Sequence, residues 1–255
     1  MLISIVNLTR GAVADEDLQR VIRAINRQIA EDFEPYWSFG ARLRLEGSVG
    51  VRPRQKTLPE MRGDALIYLW DKIDVEDALG YHDRNDNGIP FGIVSLNECR
   101  KAGDNWTSTL SHEALELLGD PDSNLLVRGP HPGDRRRMVF HWFEMCDAVQ
   151  SEYYEIDGIQ VSNFILPGYF TRGEQPGSRN DFLARAYEGR VLQSFGVNPG
   201  GYVGFYDPEK NTDTTFAHRD DVQARAVIAR KNAAKLGRGW RRTHNLTTGK
   251  VRIRR

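Results

Sequence analysis

Apolar and polar positions along the chain alternate with two different periods, and the switches between them mark out the elements. The opening MLISIVNL is a short apolar run suited to a buried strand. Leu18, Val21, Ile22, Ile25, Ile29 and Phe33 then recur at three- and four-residue spacing until Pro35, which predicts one long amphipathic helix stopped by the proline. ARLRLEGSV, residues 41–49, alternates apolar and charged positions as a half-exposed strand does, and DALIYLW, residues 64–70, reads as a buried strand. GYHDRNDNGIP is a polar, turn-rich stretch, FGIVSL is a further strand, and the helix that holds His112 is expected to follow at once. Beyond it, DPDSNLLVRGPHPGDRRR reads as a loop rich in Pro, Gly and Arg. It leads through MVFHWFEMCDAV to the strand-like YYEIDGIQVSNFIL around an Asp157-Gly158 turn. Residues 167–208 suggest loops and short strands, and no internal repeat is visible.

Composition narrows the class. With 255 residues, 40% hydrophobic and 27% charged, the chain is long enough to bury a sizeable core, as a globular protein does. No uncharged apolar run approaches the roughly 18 residues of a membrane span, and MLISIVNLTRGAV lacks the pattern of a secretory leader, so a cytoplasmic location is expected. Cys99 and Cys146 form neither a disulfide framework nor a CxxC pair, which suits a reducing compartment. Net charge is zero overall, yet residues 219–255 hold 12 Lys/Arg against Asp220 and Asp221, which leaves −10 on the rest. The division expected is therefore a main domain over 1–208 and a basic tail over 209–255, helical through RDDVQARAVIARKNAAKL and flexible at its end.

The candidate chemistry lies in TLSHEALELLGDPD, residues 109–122. His112, Glu116 and Asp120 recur at i, i+4 and i+8, so on a helix they share one face. Imidazole and carboxylate together are donors for a divalent cation. The core H-E-x-x-E is close to the H-E-x-x-H of zinc peptidases, in which two residues one turn apart bind the metal and the intervening glutamate acts on water. An isolated H-E-x-x-E also arises by chance on solvated helix faces, so the motif needs its context.

The order strand, long helix, strand, strand, edge strand, H-E-x-x-E helix resembles the upper half of a zincin metallopeptidase. SHEALELLGDP, followed by FEMCD and DGIQVSNFILP, is similar to a group of uncharacterised zincin-like proteins of bacteria and their phages. The likeness covers roughly residues 1–205. It implies an α/β (α+β) fold: a zincin-like mixed sheet with a long N-terminal helix and an active-site helix, then a loop- and β-rich C-terminal part. It implies His112 and Glu116 as metal ligands, Glu113 as general base, and a third ligand ranked Glu144, then Asp120, then Asp122. Asp120 would reach the ion only if the helix broke at Gly119 and the chain curled back, and Asp122 would follow a metzincin pattern with Met145 beneath the ion. Asp147 is expected to orient His112 or Glu144. His82, Tyr153 or Tyr154 are candidates to stabilise an oxyanion, and the strand Phe91–Leu96 stands where zincins pair a peptide along a sheet edge.

Other signals read more plainly. DRNDNG, Asp83–Gly88, is half of a calcium loop without the bidentate Glu, since Val94 stands six residues after Gly88. Cys146 near His141 is a packed thiol, and NPGGYVGF is a turn. The resulting expectation is a metal-dependent hydrolase, in particular a metallopeptidase with one divalent ion, zinc first and Mn, Fe or Ca behind it. The alternative is a non-catalytic zincin-fold protein of a phage or mobile element whose residues 219–255 attract nucleic acid by charge. No membrane partner is expected.

Overall fold

The computed structural model of the chain describes residues 1–46, 63–71, 79–85, 88–173, 178–218 and 221–222. The predicted helix over 219–236 and the flexible end fall outside them, apart from Asp221 and Val222. The fold is mixed α/β. Strand β1 (Leu2–Leu8) sends Ile3 and Ile5 into the main core. Helix α1 (Asp15–Arg27) buries Leu18, Val21, Ile22 and Ile25, and its first turn carries Asp15, Glu16 and Asp17, whose charge suits the positive end of the helix dipole. The helical path does not stop at Pro35. It widens into a π-turn over Gln28–Phe33 and continues as α2 (Glu34–Trp37), with Pro35 directly after the π-turn.

Strands β2 (Arg42–Glu46), β3 (Ala65–Trp70), β4 (Gly80–Arg84) and β5 (Pro90–Ser95) join β1 in a five-stranded sheet among the described residues, in the order β2-β1-β3-β5-β4. The first four in that order are parallel, and β4 runs antiparallel to β5. Two expectations change here. The polar stretch starting at Gly80 is a strand before it is a turn, and the edge strand is β4, because Phe91–Ser95 lies between β3 and β4. The alternation of β4 is genuine: Gly80 and His82 are buried while Tyr81 and Asp83 are partly exposed, but the inward residues are a glycine and a histidine rather than aliphatics.

The site helix does not follow β5 at once. Helix α3 (Leu96–Ala102) intervenes, with Ser95 Oγ accepting from the Glu98 amide at its start and Gly103 in the left-handed region at its end. Helix α4 (Trp106–Gly119) follows.

The Pro- and Arg-rich segment read as a loop forms a hairpin, β6 (Leu126–His131) and β7 (Asp134–Trp142), with a bulge at Pro130/His131 that absorbs the proline. Strands β8 (Tyr153–Ile156) and β9 (Ile159–Ser162) form the hairpin expected around Asp157-Gly158. Strand β10 (Val203–Asp207) pairs with β7 and with β11 (Thr212–Phe216), giving a second sheet in the order β11-β10-β7-β6. The boundary expected at 208/209 therefore falls inside a hairpin, and the ordered sheet continues to Phe216. One apolar core joins both halves: Ile3, Ile25, Leu69, Leu110 and Leu117 belong to the same cluster as Val139, Val149, Phe164 and Phe205. Among the described residues no helix is long and apolar enough to cross a membrane.

Candidate metal centre

Helix α4 is buried on nearly every side, from Thr107 through Gly119. A helix so placed needs its polar side chains satisfied internally. The Asn105 side chain caps its start by accepting from the Thr107 amide at 3.1 Å. Midway along, a closed ring of hydrogen bonds fixes its rotation. Ser111 Oγ donates to Gln28 Oε1 at 2.6 Å, Gln28 Nε2 donates to the Ser162 carbonyl at 2.7 Å, and the Ser162 amide donates to Ser111 Oγ at 3.1 Å. The ring ties α4 to the π-turn and to β9 one residue before His112.

From that position α4 sends His112, Glu113 and Glu116 towards β4 and the loop after β7. His112 Nε2 stands 3.1 Å from Glu116 Oε1 and 3.4 Å from Asp147 Oδ1. His82, from the edge strand, turns Nδ1 to Glu116 Oε2 at 3.5 Å and to Glu113 Oε2 at 3.6 Å, and Nε2 to Glu144 Oε2 at 3.9 Å. Gly80 allows β4 this close: a Cβ there would lie 2.7 Å from Glu113 Oε1. Glu113, Glu116, Glu144 and Asp147 are all buried, Glu116 completely. Among the described residues, two groups have donor atoms mutually within 4.8 Å, His82/Glu116/Glu144 and His112/Glu113/Glu116, and either could hold a metal ion. The expected trio of His112, Glu116 and Glu144 is thus divided between them, with Glu116 common to both.

Burial alone would lower the His112 pKa, but Glu116, Asp147 and Glu113 outweigh it and hold the imidazole well above its ordinary value. Four buried carboxylates crowd around two imidazoles, an environment in which a bound cation offsets buried negative charge. The donor set of imidazole and carboxylate fits such an ion. Asp147 accepts from Tyr202 Oη at 2.5 Å, so the carboxylate facing His112 is itself held.

The remaining candidates separate from the cluster. Helix α4 ends at Gly119, and Asp120 leaves the helical path with φ −137°. Its two carboxylate oxygens accept from the Asn124 and Leu125 amides, both at 3.0 Å, so the shared face expected for His112, Glu116 and Asp120 stops at Glu116. Asp122 pairs with Arg84 at 2.9 Å on the surface. Met145 does lie under the end of α4, where a Cβ on Gly119 would stand 2.4 Å from its methyl carbon. Tyr153 is exposed and Tyr154 Oη donates to Asp32 at 2.6 Å, so neither tyrosine serves the cluster. Cys146 faces the His112 carbonyl at 3.9 Å, and burial pushes its thiol pKa far up, as for a packed side chain. His141 points elsewhere, with Nε2 at 2.8 Å from the Pro130 carbonyl.

Sequence reasoning reached His82 only as an oxyanion candidate and missed Tyr202 altogether. The signal for His82 was the two-residue alternation with Gly80. Tyr202 carried none, because NPGGYVGF is turn-like in composition and only the fold brings it to Asp147. No protein-family model matches the chain, and no curated protein sequence does.

Proposed function

We propose that the protein is a metal-dependent hydrolase acting on peptides, with His112, Glu116 and Glu144 holding one divalent ion and Glu113 serving as general base. The observation that carries this reading is the burial of four carboxylates around two imidazoles at co-ligand spacing. Zinc suits the mixture of nitrogen and oxygen donors; calcium, which takes oxygen ligands, suits it less. A divalent ion there would supply Lewis acidity towards water and a carbonyl oxygen. Glu113 takes the proton of the attacking water and returns it to the departing amine nitrogen. Asp147, fixed by Tyr202, keeps the His112 ring in one orientation. The outer edge of β4, paired with no strand among the described residues, offers backbone N–H and C=O groups to an extended peptide. A zincin-like ancestry is in keeping with the antiparallel edge strand beside an H-E-x-x-E helix, and a cytoplasmic setting with two buried free thiols.

The test is Glu113→Gln. The variant should keep the fold and the ion while losing roughly 10²–10⁴-fold in turnover on a peptide library, because glutamine still hydrogen-bonds water but takes no proton. Turnover equal to that of the parent would remove Glu113 from the mechanism. A metal-loaded parent that leaves every peptide intact would favour the non-catalytic scaffold.

A further inference from the structure

We propose that His82 is a protein ligand of the same ion, so that the edge strand and the metal form one unit. The inference rests on the metal reading above and goes beyond it, since a shell of His112, Glu116 and Glu144 needs nothing from β4. Donors about 2.0–2.2 Å from a tetrahedral ion stand roughly 3.3–3.6 Å from each other. His82 Nδ1 lies 3.5 Å from Glu116 Oε2, and His82, Glu116 and Glu144 each offer one donor atom mutually within 4.8 Å. The Nδ1–Glu116 spacing falls within that range, as for two neighbours in one coordination shell.

Glu116 supplies the link between the two groups. Its Oε1 faces His112 and its Oε2 faces His82, so an ion in front of that carboxylate meets both rings. The ring of His82 is wholly buried and Gly80 holds its strand against Glu113, so the imidazole has no solvent-facing alternative in this arrangement. With His112, Glu116 and Glu144, His82 would complete four protein ligands. A catalytic zinc site with three protein ligands keeps a position open; four close it. The peptide-binding edge and the ion would therefore be coupled through β4, the strand that carries His82.

Two measurements on zinc-loaded full-length protein test this. X-ray absorption at the zinc edge counts imidazoles directly in the parent, whatever the behaviour of variants, and two per ion are expected. Amide hydrogen exchange across residues 79–85 should slow on zinc loading in the parent but not in His82→Gln. That variant should also release zinc to a chelator more easily than the parent, by more than the roughly 10–100-fold that loss of an outer partner costs. One imidazole per ion, or equal protection of β4 in parent and variant, would overturn the assignment of His82 and leave the metal site standing. A parent that takes up no ion would overturn the metal reading itself and this inference with it.

Discussion

His141 shows how differently the fold treats two kinds of buried histidine. His82 and His112 lie among carboxylates, whereas His141 is packed against Phe195 and Phe205 with ring centroids at 4.8 and 5.7 Å. Burial there lowers its pKa from 6.5 to about 4, so the folded protein holds it neutral near pH 7. The unfolded chain takes up that proton at the ordinary value, so the folded state loses stability as pH falls from 6.5 towards 4. The contribution is on the order of 3 kcal/mol across that window. His141→Gln should keep a donor for the Pro130 carbonyl and remove the titration. The difference in urea midpoint between pH 7 and pH 4.5 should then shrink by most of that amount, and an unchanged difference would show that His141 titrates normally. The burial of Glu116 is the opposite case: one carboxylate stands between two imidazoles, in a group of donors that could hold a cation.

At the level of elements, what the sequence makes legible follows from how each element is buried. The long stripe from Leu18 to Phe33 is found as helix because one face alone is apolar, and β1, β3 and β5 are found because parallel central strands are apolar on both faces. Strand β4 was hidden because its inward positions are Gly80 and His82, and of its outward ones Tyr81 packs on Phe91 while Asp83 is polar. Strands β6 and β7 were hidden by the buried Pro130 and by Arg135, Arg136 and Arg137, the first two exposed and the third half-buried. The end of α4 gives the matching prediction. Asp120 closes the turn into β6 by accepting two amides, while Glu144 lies among the cluster donors. Asp120→Ala should cost about 1–3 kcal/mol in stability and keep the ion at saturating metal. Glu144→Ala should weaken retention of the ion, with little loss of stability in its absence. Unfolding in denaturant, run beside a metal titration, separates the two; the reversed pattern would return Asp120 to the ligand set.

Over the whole molecule, the two sheets and α4 enclose the cluster from three directions. β4 brings His82, α4 brings His112, Glu113 and Glu116, and the segment after β7 brings Glu144 and Asp147. The local motif was legible because it lies within one helix turn; the meeting of residues 82, 113 and 144 was not, because only the tertiary fold sets it. The same limit explains β11, whose TDTTF has little apolar content and is a strand because β10 lies beside it. An ion held from three segments would couple them, and ligand that binds only the folded state at 100 times its Kd adds about 2.7 kcal/mol of stability. The most direct measurement is elemental analysis with thermal unfolding of the full-length chain, zinc-loaded and chelator-treated, beside Glu116→Ala. The parent should hold about one ion per chain and melt several degrees higher with it than without, at roughly 2–4 °C per kcal/mol for a chain of this size. Glu116→Ala should show neither ion nor shift. A parent that binds no divalent ion, or a Glu116→Ala variant that keeps it fully, would contradict the account.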